Sequence, residues 1–217
     1  MKNSLKLDYL ARSFNKKILL NNLIVELKKT KKIKNLLLSS LLLVSTLFSV
    51  SGQKMEFFGQ INEEKITSVI NFSASKNFNE KFGLTFFSLI SEAGWAEANF
   101  GPTFSPTPNS CFSISAGIET GGNKFRMATS AFIAFKPGMH FLLVAEKGQG
   151  DDNYWYHTQA MKSWKKISAG LMARRFNGVG PRIEIKVLEG FTLWGAPLYD
   201  LEDGKIKGVI SLAINFK

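Results

Sequence analysis

Cysteine is nearly missing from this 217-residue chain: Cys111 stands alone, which excludes an internal disulfide framework and any Cys-rich zinc or iron–sulfur site. Histidine is almost as scarce, so a histidine general base could only be His140 or His157. Proline numbers only 6, and 45% of the residues are hydrophobic, which excludes a collagen-like or disordered chain. The sequence holds no Walker loop, dinucleotide fingerprint or HExxH motif. No metal site and no cofactor is expected.

What the chain has in excess is positive charge, a net of +11, and its placement decides its meaning. Residues 1–52 carry ten Lys/Arg against Asp8 and Glu26, a net of +8. Residues 53–217 carry the remaining +3. A phosphate-binding surface keeps its cations on the fold itself, so nucleic acid is not an expected partner.

The basic stretch Lys28-Lys29-Thr30-Lys31-Lys32-Ile33-Lys34 precedes a 15-residue apolar run, Leu36 to Val50, and then Ser51, Gly52 and Gln53. This is the three-part layout of a secretory signal, with Val50 and Gly52 at the −3 and −1 positions of the cut. The run falls short of the roughly 20 residues of a spanning helix. Residues 1–52 therefore read as leader and signal peptide, with 1–26 a mis-annotated start ahead of translation near Leu27. Residues 53–217 form the folded domain.

From Met55 onward the hydrophobic period is two. Ser110 to Glu119 sets Phe112, Ile114, Ala116 and Ile118 against Cys111, Ser113, Ser115, Gly117 and Glu119. Pro181 to Leu188 sets Ile183, Ile185 and Val187 against Arg182, Glu184 and Lys186. Ile206 to Phe216 closes the chain in the same way. Weaker alternation runs through 66–75, 81–91, 94–103, 124–135, 138–147, 153–163, 166–176 and 191–198, with turn clusters such as Pro137-Gly138 and Glu189-Gly190 between them. That makes eleven strand candidates, twelve with Glu56 to Ile61. Short turns join antiparallel neighbours, so an all-β, up-and-down meander is expected.

Alternation alone leaves two orientations open. A soluble barrel turns its apolar face inward, whereas a transmembrane barrel turns it to lipid and lines a lumen with the polar face. Side-chain size favours the second. The polar faces are rich in small residues (Ser113, Ser115, Gly117, Ser130, Ser168, Gly170), as a crowded lumen requires. Their charges nearly balance: Glu97, Glu119, Glu146 and Glu184 oppose Arg126, Arg174, Arg182 and Lys186, with His140 and His157 nearby. These ten residues are the expected lumen set. Aromatics recur at strand ends, and Trp95, Tyr154, Tyr156, Trp164, Trp194 and Phe216 are expected at the membrane interfaces.

Signal sequence, ten-residue alternating strands and a final strand ending SLAINFK together resemble a small Gram-negative outer-membrane β-barrel of the porin-like superfamily. The resemblance covers 53–217 as an architecture. It implies an antiparallel transmembrane barrel of about 10–12 strands, located in the outer membrane. It also implies outer-membrane lipids and the barrel-assembly machinery as partners, the latter reading the terminal aromatic, here Phe216 followed by Lys217.

The expected role is envelope-structural or a narrow channel, since inward arginines leave no wide pore. A soluble secreted or periplasmic barrel with an apolar ligand cavity is the alternative. A barrel-embedded enzyme using His157 or His140 is a lesser one, because no spacing matches a catalytic template. The segment Gly148 to Asn153 lacks the carboxylate spacing of a calcium loop.

Overall fold

The computed structural model describes residues 52–63, 65–121 and 124–216, so the expected leader and signal segment, Gly52 apart, lies outside the described residues. Twelve strands follow in chain order: β1 (Gly52–Ile61), β2 (Ile66–Asn77), β3 (Phe82–Ser91), β4 (Ala96–Thr107), β5 (Ser110–Glu119), β6 (Phe125–Lys136), β7 (Met139–Gly148), β8 (Tyr154–Ser163), β9 (Ile167–Arg174), β10 (Gly178–Leu188), β11 (Phe191–Tyr199) and β12 (Ile206–Phe216). Each pairs antiparallel with its chain neighbours, and β1 pairs with β12, so the sheet closes into an up-and-down barrel. A ten-residue strand rising about 3.3 Å per residue and tilted about 40° covers roughly 25 Å, the height of a lipid-facing band.

The two ends differ. At the end holding Gly52 and Phe216, the connections are 78–81, 108–109, 137–138, 164–166 and 189–190. Pro137-Gly138 is the tightest kind: Gly138 takes φ 78°, and a Cβ there would lie 2.5 Å from the Ser163 carbonyl oxygen. The opposite end carries connections 62–65, 92–95, 120–124, 149–153, 175–177 and 200–205. We refer to these as the terminus end and the loop end.

Several boundaries depart from the sequence reading, and β1 begins at Gly52 instead of Glu56. β4 runs on to Thr107 through Pro102 and Pro106, because the β4–β5 ladder omits Pro102 and shifts register between Phe104 and Thr107, so neither missing N–H is required. β9 stops at Arg174, since Phe176 takes φ 68° and reverses the chain. β10 accordingly starts at Gly178, paired with Arg174, instead of at Pro181.

The faces settle which way the barrel looks. A soluble barrel would gather Ile114, Ile185 and Leu212 in one dry interior. All three point outward, with exposures of 62%, 46% and 38%. Leu171, Ile183 and Ile210 are exposed beside them, and the soluble apolar-cavity alternative is thereby corrected. Inside, Arg126 is 1% exposed, and Glu97, Asn99 and Arg182 are buried with it. The interior is not purely polar, however. Phe58, Val69, Leu89, Met172, Trp194, Leu198 and Val209 form an apolar cluster within the ring. The lumen is wide enough to carry an ionic wall and a greasy wall at once.

Two predictions follow from this frame. Ile114 lies mid-strand on the outer face, so Ile114→Arg should cost about 2–4 kcal/mol in unfolding from lipid vesicles, as charge at a bilayer midplane does; a cost near zero would contradict the outward assignment. At the β11–β12 connection, Lys207 of β12 hydrogen-bonds Asp200 and lies 2.7 Å from Asp203, holding both carboxyls below the ordinary aspartate value. A lowered folded pKa stabilises fully above the unfolded value and loses that contribution as pH falls through the folded one. The protection factors of amides 201–204, taken relative to intrinsic exchange at each pH, should therefore fall on acidification below about pH 4, and Asp200→Asn should blunt the response.

Candidate functional site

The strongest internal electrostatics centre on Arg126 of β6. Its Nη1 lies 2.8 Å from Glu119 Oε2 and its Nη2 2.8 Å from Glu146 Oε2, contributed by β5 and β7 on either side. Glu97 Oε2, from β4, lies 2.7 Å from Nε but off the hydrogen-bonding direction. The β7–β8 connection closes the group: Asn153 Oδ1 accepts from Arg126 Nη1 at 3.0 Å while its Nδ2 donates to Glu119 Oε1. Space for these side chains comes from small neighbours. A Cβ on Gly117 would sit 1.8 Å from the Ala98 carbonyl oxygen and 2.5 Å from Asn99 Oδ1.

A second network crosses the opposite wall. Glu56 of β1 accepts from Trp194 Nε1, from Ser211 Oγ at 3.1 Å and from Asn71 Nδ2 at 3.3 Å, with Lys54 Nζ 3.4 Å away. The Arg182 guanidinium lies 3.7 Å over the Trp194 ring, donates to Gln159 Oε1 at 2.8 Å and pairs with Glu184. His157 shares Gln159 Oε1 at 3.2 Å and stacks on Trp155, its ring 6.0 Å away at 8°.

Arg174 stands between the two networks. Its guanidinium lies 4.5 Å from the Phe58 ring and 5.1 Å from the Trp155 ring. It has no hydrogen-bond acceptor and no paired carboxylate among the described residues, and its buried Nε is unsatisfied. Two chambers meet here. The one toward the loop end holds about 310 Å³ and reaches Trp95, Asn153 and Phe176. The central one holds about 280 Å³ and reaches Lys54, Ser73 and Thr85, which also line a cleft at the terminus end. Both chambers are lined by Phe87, Leu89, Glu146, Trp155 and Arg174, which form their shared border.

The ten residues expected in the lumen are placed as follows. Glu97, Glu119, Arg126, Glu146, His157, Arg174 and Arg182 are buried inside the barrel. Glu184 is half-buried beside Arg182. Lys186 has the same parity but lies exposed toward the terminus end. His140 is half-buried, its ring 5.6 Å from Phe132, and its nearest polar neighbour is the Gln159 amide at 3.5 Å.

Of the aromatics expected at the interfaces, Tyr154, Tyr156, Trp164 and Phe216 are exposed. Trp95 and Trp194 are corrected: both rings turn inward. Trp95 packs against the apolar cluster with Arg126 at 5.2 Å, and Trp194 is buried on Arg182 and Glu56. An indole offers a π-face to a cation and an N–H to a carboxylate, and each ring meets at least one of those partners inside.

The sequence reading missed Glu56, Gln159, Trp155 and Arg175. Arg175 is buried at the loop end, where it pairs with Asp152, donates to the Asp152 carbonyl at 2.8 Å and lies 3.5 Å from the Tyr154 ring. The signal for Glu56 was present: Lys54, Glu56 and Gln60 recur at even spacing among apolar residues.

No protein-family model and no curated protein sequence matches the chain. Solved structures do. The barrel is similar to the KdgM porin at 9% identity and TM-score 0.50, covering 76% of this chain and 98% of the porin. It is similar to the NanC porin at 7% identity and TM-score 0.50, covering 75% and 99%. A third structure, from work on in-meso crystallization of membrane proteins, matches at 8% identity and TM-score 0.54, covering 76% and 83%. The chain thus has the fold of the porin-like outer-membrane β-barrels.

Removing Arg126 would leave Glu97, Glu119 and Glu146 facing one another in a buried space. Arg126→Met should cost about 3–5 kcal/mol in denaturant unfolding of the refolded barrel, the usual penalty for stranding buried charge. Adding Glu119→Gln and Glu146→Gln should recover much of it; a single variant as stable as the parent would contradict the assignment.

Proposed function

We propose that the chain is an outer-membrane β-barrel that forms a narrow conduit for small polar solutes, constricted at its own waist. The observation that carries this reading is the pair of lumen chambers meeting at Phe87, Leu89, Glu146, Trp155 and Arg174. A barrel built only as a wall has no need of internal space on both sides of a constriction. The channel role of structural neighbours named as porins is consistent with it.

The outward apolar belt supports lipid as the surrounding medium, with exposed Tyr154, Tyr156 and Trp164 at the strand ends as interfacial anchors. In this reading the terminus end, with its shorter turns, faces the periplasm. Phe216 points outward on β12 opposite Gln53, where the barrel-assembly machinery can reach it. The leader over 1–52 delivers the chain to the export route.

In this reading side chains, and not the backbone, set the width of the waist. In planar bilayers the refolded barrel should carry small, discrete currents, and Trp155→Ala should enlarge the single-channel conductance. A barrel that shows heat-modifiable gel mobility yet stays silent at every voltage would overturn the conduit in favour of an envelope-structural role.

A further inference from the structure

We infer that Arg174 holds a small monovalent anion at the waist between the two chambers. The inference rests on the conduit reading for its biological setting, but its chemistry stands on local geometry. Arg174 is 6% exposed, yet it lines both cavities, so its accessible N–H edge faces internal space and not bulk solvent. The rings of Phe58 and Trp155 lie against the guanidinium and offer π-faces, which accept no strong hydrogen bond from its five donors.

The nearby carboxylates are already engaged. Glu146 accepts from Arg126, and Glu97 lies 2.7 Å from Arg126 Nε as an ion-pair partner. Glu56 is taken by Trp194, Ser211, Asn71 and Lys54. Glu184 pairs with Arg182. His157, which faces Arg174 across the β8–β9 ladder, spends its Nε2 on Gln159. A buried guanidinium without a protein acceptor is costly, and the group that relieves it most is one that brings negative charge and fits a chamber of about 280 Å³. A halide-sized anion meets both conditions, with Trp155 as its aromatic neighbour.

Trp155 makes the site readable without any current. Iodide quenches indole fluorescence on contact, and caesium is a cationic quencher of the same kind. In the refolded full-length barrel, iodide should quench a component that caesium leaves untouched, and Trp155→Phe should remove it. Arg174→Gln should abolish that component, whereas Arg174→Lys, which keeps the charge, should retain part of it. Chloride should displace iodide in proportion to concentration.

Equal iodide and caesium quenching of the Trp155 component in the unmodified protein would overturn the site, leaving water as the occupant. So would full iodide quenching in a folded Arg174→Gln barrel. The two readings fail separately. A barrel that conducts without Arg174-dependent quenching keeps the conduit and loses the anion, and a silent barrel that quenches does the reverse.

Discussion

Closure of the sheet is the constraint from which the rest follows. In hydrocarbon every backbone N–H and C=O must find its partner within the protein, and an open meander would leave the outer edges of β1 and β12 unpaired. The seam between them runs without a break from Gln53 opposite Phe216 to Ile61 opposite Gly208. Because side chains alternate, a slip of one residue at this seam would expel Glu56 to the lipid side and draw Phe57 inward. Glu56 guards against that slip. Its carboxylate takes hydrogen bonds from Asn71 on β2, Ser211 on β12 and Trp194 on β11, the strands that flank the seam on either side.

The same parity sorts the remaining charges into walls. β4 to β7 contribute Glu97, Glu119, Arg126 and Glu146, one from each consecutive strand, so the group is a belt across four neighbours. β1, β8, β10 and β11 contribute Glu56, Gln159, Arg182 and Trp194. With twelve strands the ring is too wide for one belt to span, and the apolar cluster of Phe58, Leu89, Trp194 and Leu198 fills part of the difference. What remains unfilled is the pair of chambers. Their volume is the residue of a packing problem solved on two walls and left open between them.

Much of this was legible in the sequence, for a physical reason. Period-two alternation and turn chemistry are local, so β5 and β12 can be bounded to the residue from Ser110 to Glu119 and from Ile206 to Phe216. Inward charge was legible too, since Arg126, Glu119 and Glu146 share the parity of the small residues around them. The direction of an aromatic ring was not. Trp194 is expected at the interface from its aromatic character, yet it is the fourth of nine residues in β11 and its N–H is claimed by Glu56, 138 positions away in the chain. Such long-range pairings are created by closure, and local pattern carries no trace of them. The inward parity of Glu56 was legible beside Lys54 and Gln60, but its partners Trp194 and Ser211 were not, because only closure brings them to it.

The contrast between the two central arginines argues that the waist is more than filler. Arg126 donates to Glu119 and Glu146 on its two neighbouring strands and to Asn153, with Glu97 alongside, so its burial is explained by structure alone. Arg174 is buried as deeply and is given rings in place of acceptors. For stability, a Met or Leu of similar reach would pack against Phe58 and Trp155 without the desolvation that a guanidinium suffers. The fold therefore bears a cost at Arg174 that it avoids at Arg126, at the one place where its two chambers meet. That cost, borne by a side chain that lines both chambers, is what an anion at the proposed site would offset.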